Sequence, residues 1–147
     1  MNTIKLHILL ADDDTDDCEF FEDAIDELPE PVEFALVTNG VELMGYLNDS
    51  NHTPDLIFLD LNMPKKSGLE CITEIKSIAR LSQASIIIYS TSLDQSVVNN
   101  LYEMGADHYI QKPAKFSNIT NVIKKAIALH SNSSITPRSK DNFIIEY

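Results

Sequence analysis

Five of the six residues from position 12 to position 17 are aspartates. A further aspartate, Asp60, closes the apolar run LIFL, and a lysine, Lys112, stands directly before Pro113. Carboxylates brought within a few ångströms of one another repel, and one stays protonated unless a cation intervenes. A hard divalent ion with oxygen ligands removes the conflict, and Mg2+ is the natural choice because it favours one or two carboxylates together with waters and phosphate oxygens. Such a centre suits phosphoryl transfer. Asp60 then has the chemistry of a nucleophile that forms an aspartyl phosphate. Lys112 supplies a point charge for phosphoryl oxygens, and the hydroxyl of Ser90 a hydrogen bond.

These groups are far apart in sequence, so the elements between them must bring them together. Residues 5–11 (KLHILLA) form a first strand that ends in Asp12, Asp13 and Asp14. A helix follows from Thr15, with Cys18, Phe21, Ile25 and Leu28 near helical spacing, stopped by Pro29 and Pro31. Residues 32–37 make a second strand, and a short helix carries Val41, Leu43, Met44 and Leu47. Leu56 to Leu59 are a short unbroken apolar run, the pattern of a strand buried on both faces. Leu69, Ile72, Ile75 and Ile78 give a third helix its apolar face. Residues 85–89 (SIIIY) form a fourth strand before Ser90, Thr91 and Ser92. A fourth helix begins near Leu93, with Val97, Val98 and Leu101 inward, and stops at Gly105. Residues 108–111 are a fifth strand, followed by Lys112, and a last helix spans about 117–130.

Strand and helix alternate five times, which predicts an α/β fold with a doubly wound five-stranded parallel sheet. Right-handed crossovers carry all the strand carboxyl ends to one edge, where ligands bind in such sheets. Asp12, Asp13, Asp14, Asp60, Ser90 and Lys112 gather there.

Composition narrows the function further. A net charge of −12 and a pI near 4.5 repel nucleic-acid phosphates, so nucleic acid is excluded as a partner. No stretch approaches a membrane span, and the opening residues MNTIKL lack a signal-peptide layout, so no membrane association and a cytoplasmic location are expected. Cys18 and Cys71 stand alone and read as reduced core thiols. His7, His52, His108 and His130 show no ligand-like grouping. Neither GxGxxG nor GxxxxGK[ST] occurs, so the usual nucleotide loops are absent.

With these residues in view, the chain resembles the receiver domain of two-component response regulators. The resemblance rests on the Asp12–Asp13 pair after strand one, Asp60 in DLNMP, Ser90 after strand four and Lys112–Pro113 after strand five. Gly68, the Gly105, Ala106, Asp107 run and Tyr109 also fall at receiver-like spacings. It covers about residues 4–130, so residues 1–130 are expected to be the receiver domain and 131–147 a flexible linker with a short apolar tail. It implies a flavodoxin-like (βα)5 fold with strand order 2-1-3-4-5. It also implies that Asp60 takes a phosphoryl group from the phosphohistidine of a sensor histidine kinase, with the chain catalysing its own Mg2+-dependent phosphorylation and dephosphorylation. Asp13, Asp60 and the Asn62 carbonyl would hold Mg2+ directly, and Asp12 through a bound water. Ser90 stands where the family usually has threonine and would move toward the phosphoryl group. Tyr109 would then turn inward and change the face built from helix 4, strand 5 and helix 5. The Lys112–Pro113 bond is expected to be cis. Asn62 and Ser92 lie where family members tune the lifetime of the phosphoryl group.

Plainer readings stand beside these. Asp12, Asp13 and Asp14 taken alone are helix-capping acids, and Asp14, Asp16 and Asp17 read as first-turn helix charges. Thr91 competes with Ser90 for the switch role, and counting back from Gly105 and Lys112 favours Ser90. A phosphatase-like hydrolase would want a second aspartate two residues after the nucleophile, where Asn62 stands. A constitutive binding module is the other rival. The expected function is therefore a single-domain regulator, weakly similar to those that serve phytochrome-type kinases. Its output is contact with a downstream protein or a phosphotransfer protein, and a homodimer stays among the partners considered. The tail, residues 142–147 (NFIIEY), is apolar at an otherwise polar terminus and is expected to dock on the domain or on a partner.

Overall fold

The computed structural model describes residues 5–147, so the first four residues of the opening MNTIKL lie outside the described residues. The chain runs β1 (Leu6–Ala11), α1 (Thr15–Asp26), β2 (Val32–Val37), α2 (Gly40–Asn48), β3 (Leu56–Leu59), α3 (Gly68–Lys76), β4 (Ser85–Ser90), α4 (Gln95–Met104), β5 (His108–Gln111) and α5 (Phe116–Ser131). All strands are parallel in one sheet of order β2-β1-β3-β4-β5, the flavodoxin-like α/β arrangement expected from the alternation.

Strand alternation sorts the core into two layers. Leu9, Ala11, Ile57, Leu59, Ile86 and Ile88 pack with α2, α3 and α4, while Ile8, Leu10, Leu56, Phe58 and Ile87 pack with α1 and α5. The central strands are apolar on both faces because helices cover both. Register then places the chemistry. Ala11 pairs with Leu59, so Asp12 and Asp60, one residue on, leave the sheet side by side. The Asp60 N–H donates to the Ala11 carbonyl at 2.9 Å, which extends the ladder to the start of the loop.

Element ends differ from the sequence expectations for local reasons. Asp94 caps α4 by accepting from the N–H groups of Ser96 and Val97, so Leu93 lies outside the helix and exposed. α1 ends at Asp26, before the prolines, and α3 ends at Lys76, so Ile78 packs from outside the helix and Leu69 stays partly exposed. Gly105 closes α4 with φ of 100°, a left-handed conformation that glycine adopts without steric cost.

The Lys112–Pro113 bond is trans: the described residues contain no cis peptide bond, which corrects the cis expectation. Trans is the intrinsically favoured isomer even before proline. The Lys112 N–H is already aimed by its bond to the Ser90 carbonyl at 2.7 Å, and the long side chain covers the remaining distance.

Candidate phosphoacceptor site

The site forms where β1, β3 and β5 end. Asp12 follows β1 and is fully buried. Its Oδ1 accepts from the Asp14 N–H at 2.9 Å, which folds the acidic run back on itself. Asp14 in turn caps α1, accepting from the Asp17 N–H. Asp13 is exposed to solvent at the mouth of the pocket. Asp60 is buried at the end of β3, with its Oδ1 3.4 Å from the Asn62 N–H. Gly68 permits this loop: a Cβ there would lie 2.7 Å from the Asp60 carbonyl oxygen, too close for any side chain.

Lys112 reaches in from the end of β5. Its Nζ lies 2.8 Å from Asp12 Oδ2, 2.8 Å from Asp17 Oδ2 and 3.5 Å from Asp60 Oδ2. One ammonium therefore serves three carboxylates. Burial pushes the Asp12 carboxyl up to about 6, although the hydrogen bond to Lys112 works the other way. For Lys112, burial disfavours the charge, but its bonds to Asp12 and Asp17 outweigh this and hold the ammonium above its ordinary value. The centre has more negative charge than its one cation can satisfy.

Oxygens of Asp12, Asp13 and Asp60 lie within 4.8 Å of one another, a hard-oxygen set that can hold a divalent metal ion. The raised pKa of Asp12, caused chiefly by burial and in smaller part by the neighbouring Asp60 charge, fits that ligand class, since a second cation would stabilise the buried carboxylate. Such an ion would supply charge neutralisation for an incoming oxyanion.

Ser90 ends β4 with almost no exposure. Its Oγ accepts from the Ser92 N–H and shares a hydrogen bond with the Ser92 hydroxyl, both at 3.3 Å. Thr91 is exposed, with its carbonyl 3.3 Å from Gln111 Nε2. Tyr109 is fully buried and already inward, its hydroxyl donating to the Ser92 carbonyl at 2.6 Å. The Lys112 N–H and the Tyr109 hydroxyl thus tie the end of β5 to the end of β4 and the loop after it.

Asp17 is the site residue that the sequence reading did not find. The sequence pattern marks it as a first-turn helix charge, yet it shares the Lys112 ammonium. The available signal was geometric: the first turn of α1 must start over the same sheet edge that receives the end of β5. Cys18 sits one residue further on with its thiol donating to the Asp12 carbonyl, and burial pushes that thiol up to about 12, as befits an inert core group.

The alternating βα fold and this acid–lysine pocket define a phosphoacceptor signalling module rather than a classical enzyme. The chain belongs to the response regulator receiver domain family, whose model matches residues 8–124. Membership implies partnering with a histidine kinase. Among its relatives is the response regulator Rcp1 of Synechocystis sp., 26% identical over 122 residues that cover 80% of this chain and 83% of Rcp1. Rcp1 has been solved in a Mn(2+)-bound form, to which this chain is similar with a TM-score of 0.72 and 25% identity, over 88% of this chain and 92% of that one. The phosphorylated cyanobacterial phytochrome response regulator RcpA is similar with a TM-score of 0.79 and 31% identity, over 88% of this chain and 96% of RcpA. The chemotaxis protein CheY of Bacillus subtilis is 32% identical over 100 residues, covering 63% of this chain and 82% of CheY. Among the described residues, no helix is long and apolar enough to cross a membrane.

Proposed function

We propose that the chain is a cytoplasmic single-domain response regulator in which Asp60 accepts a phosphoryl group from the phosphohistidine of a sensor histidine kinase. An Asp60 carboxylate oxygen forms the new bond to phosphorus as the P–N bond breaks, and the imidazole leaves with the bonding electrons. The observation that carries this reading is the convergence of Asp12, Asp13 and Lys112 on Asp60, with the acids inside 4.8 Å and the Lys112 ammonium 3.5 Å away. Lys112 offsets the charge of the phosphoryl oxygens.

The metal is Mg2+, held by Asp13, Asp60 and the Asn62 carbonyl. Asp12 acts more distantly, because Lys112 and the Asp14 N–H already engage its two oxygens. RcpA has been solved phosphorylated and Rcp1 with Mn(2+) bound, which supports carrying both features over to this chain.

Ser90 is the switch hydroxyl, since it is buried beside Lys112 while Thr91 faces solvent. Asn62 and Ser92 tune the lifetime of the aspartyl phosphate. The output is a changed face of α4, β5 and α5 that binds a downstream protein or a phosphotransfer protein.

Intact-mass spectrometry after incubation with acetyl phosphate tests the chemistry. One phosphate adduct that requires both Mg2+ and Asp60, and is absent from Asp60→Asn, is the expected result. An adduct that persists in Asp60→Asn would reject Asp60 as the acceptor.

A further inference from the structure

β5 is an edge strand, yet its outer edge is covered by the chain's own C-terminus. The Tyr109 N–H donates to the Phe143 carbonyl and the Ile145 N–H donates to the Tyr109 carbonyl, both at 2.9 Å, so Ile144 lies opposite Tyr109 in a parallel bridge. Phe143 is 2% exposed and meets Tyr102 of α4 edge-on, with centroids 5.3 Å apart. Ile145 is buried in the other layer, beneath α5. Arg138 fastens the approach: its guanidinium donates to the carbonyls of Ala106 and Tyr102 and lies 4.1 Å over the Tyr102 ring. His108 Nδ1 is 2.8 Å from the Asn142 carbonyl. The segment occupies the α4–β5–α5 face that the proposed function assigns to partners.

Its hold is short. One bridge and two backbone bonds join it to β5, and a groove of about 410 Å³ remains beside it, lined by Lys125, Ala128, Leu129 and Ile144 among others. The residue that holds it also touches the switch loop. Tyr109 gives its backbone N–H and C=O to the tail and its hydroxyl to the Ser92 carbonyl, and Ser92 bonds to Ser90. A Ser90 hydroxyl drawn toward a phosphoryl group on Asp60 would leave the N–H and hydroxyl of Ser92, the residue whose carbonyl receives the Tyr109 hydroxyl, so a shift of this loop reaches the residue that holds the tail.

We propose that the outer edge of β5 is a strand-addition site for an extended partner segment carrying aromatic and branched aliphatic side chains, and that residues 143–145 are its resident occupant, released when Asp60 is phosphorylated. An incoming segment must supply a carbonyl for the Tyr109 N–H and an N–H for the Tyr109 carbonyl, as strand addition does. It must also refill the space under Tyr102 that Phe143 vacates. The proposal rests on the Asp60 phosphorylation reading.

The test uses the full chain with a fluorescein-labelled peptide of residues 138–147 as the probe, with and without Mg2+ and beryllofluoride. Amide hydrogen exchange is followed in parallel. On activation, the amides of Tyr109 and Ile145 should lose protection, and peptide affinity by anisotropy should rise about tenfold or more. A peptide with Phe143→Ala should show no such rise. Unchanged protection at Tyr109 and Ile145, while amides near Ser90 respond, would overturn the release and leave the phosphorylation reading standing. Lost protection without peptide capture would overturn the strand-addition site. No response at any amide near Ser90 or Lys112 would overturn both readings.

Discussion

The two outer edges of the sheet solve the same problem differently. β2 exposes Glu33 and Leu36, the latter by 42%, half-buries Val32, Phe34 and Ala35, and among the described residues pairs with β1 alone. β5 is buried along His108, Tyr109 and Ile110, and the chain spends its last residues covering it. An edge with a charge and a broken apolar pattern resists pairing by itself, whereas an apolar edge invites a strand. The difference teaches that the covered edge is built for pairing. The same contrast separates the β5 edge from the carboxyl-end pocket: the edge is held by apolar burial, and the pocket by charges that one lysine only partly satisfies.

Substitutions should sort along that line. Phe143→Ala removes a buried ring from the β5 edge and should cost about 3 kcal/mol in urea unfolding, while Asp60 still accepts phosphate from acetyl phosphate. A cost under about 1 kcal/mol would mean that the tail is not part of the folded core. In the pocket the sign reverses. Asp12→Asn keeps the shape but removes a buried charge that the site disfavours, so melting in EDTA should show a gain of about 1 kcal/mol, together with weaker Mg2+ binding. A less stable Asp12→Asn protein in EDTA would show that the ion pair with Lys112 outweighs the desolvation. Asp60→Asn should shift stability by no more than about 0.5 kcal/mol and still abolish the phosphate adduct.

The smallest effect concerns pH at the tail. Burial lowers the His108 pKa below its ordinary value, with the Asn142 carbonyl and Asp107 opposing and Arg138 adding to the shift. The unfolded chain therefore takes up this proton first. The contribution of neutral His108 is complete above about 6.5, the unfolded value, and is lost as pH falls below it. Denaturant midpoints between pH 7.5 and 5.5 should decline less in His108→Gln than in the parent chain. Identical slopes would remove His108 from the comparison.

Much of the chain was legible without coordinates. Leu56 to Leu59 and the SIIIY run announce buried parallel strands because only two-sided burial tolerates such unbroken apolarity. Asp12, Asp60 and Lys112 could be assembled because parallel topology sends every strand end to one edge. Asp17 could not, since its acidity is equally explained by the dipole of α1 and only the position of Lys112 Nζ decides the matter. The isomer at Pro113 was equally out of reach of the resemblance.

Local pattern and topology thus determined the fold and the meeting of Asp12, Asp60 and Lys112 at one sheet edge, because periodicity and strand order are properties of neighbouring residues. Tertiary structure alone decided which acids share the ammonium, which of Ser90 and Thr91 is buried, and where residues 143–145 lie. Those outcomes depend on side-chain reach and on competition for space between segments distant in sequence. The apolar tail NFIIEY is expected to dock on the domain or on a partner, and only the tertiary structure brings Phe143 and Ile145 into the core along the edge of β5.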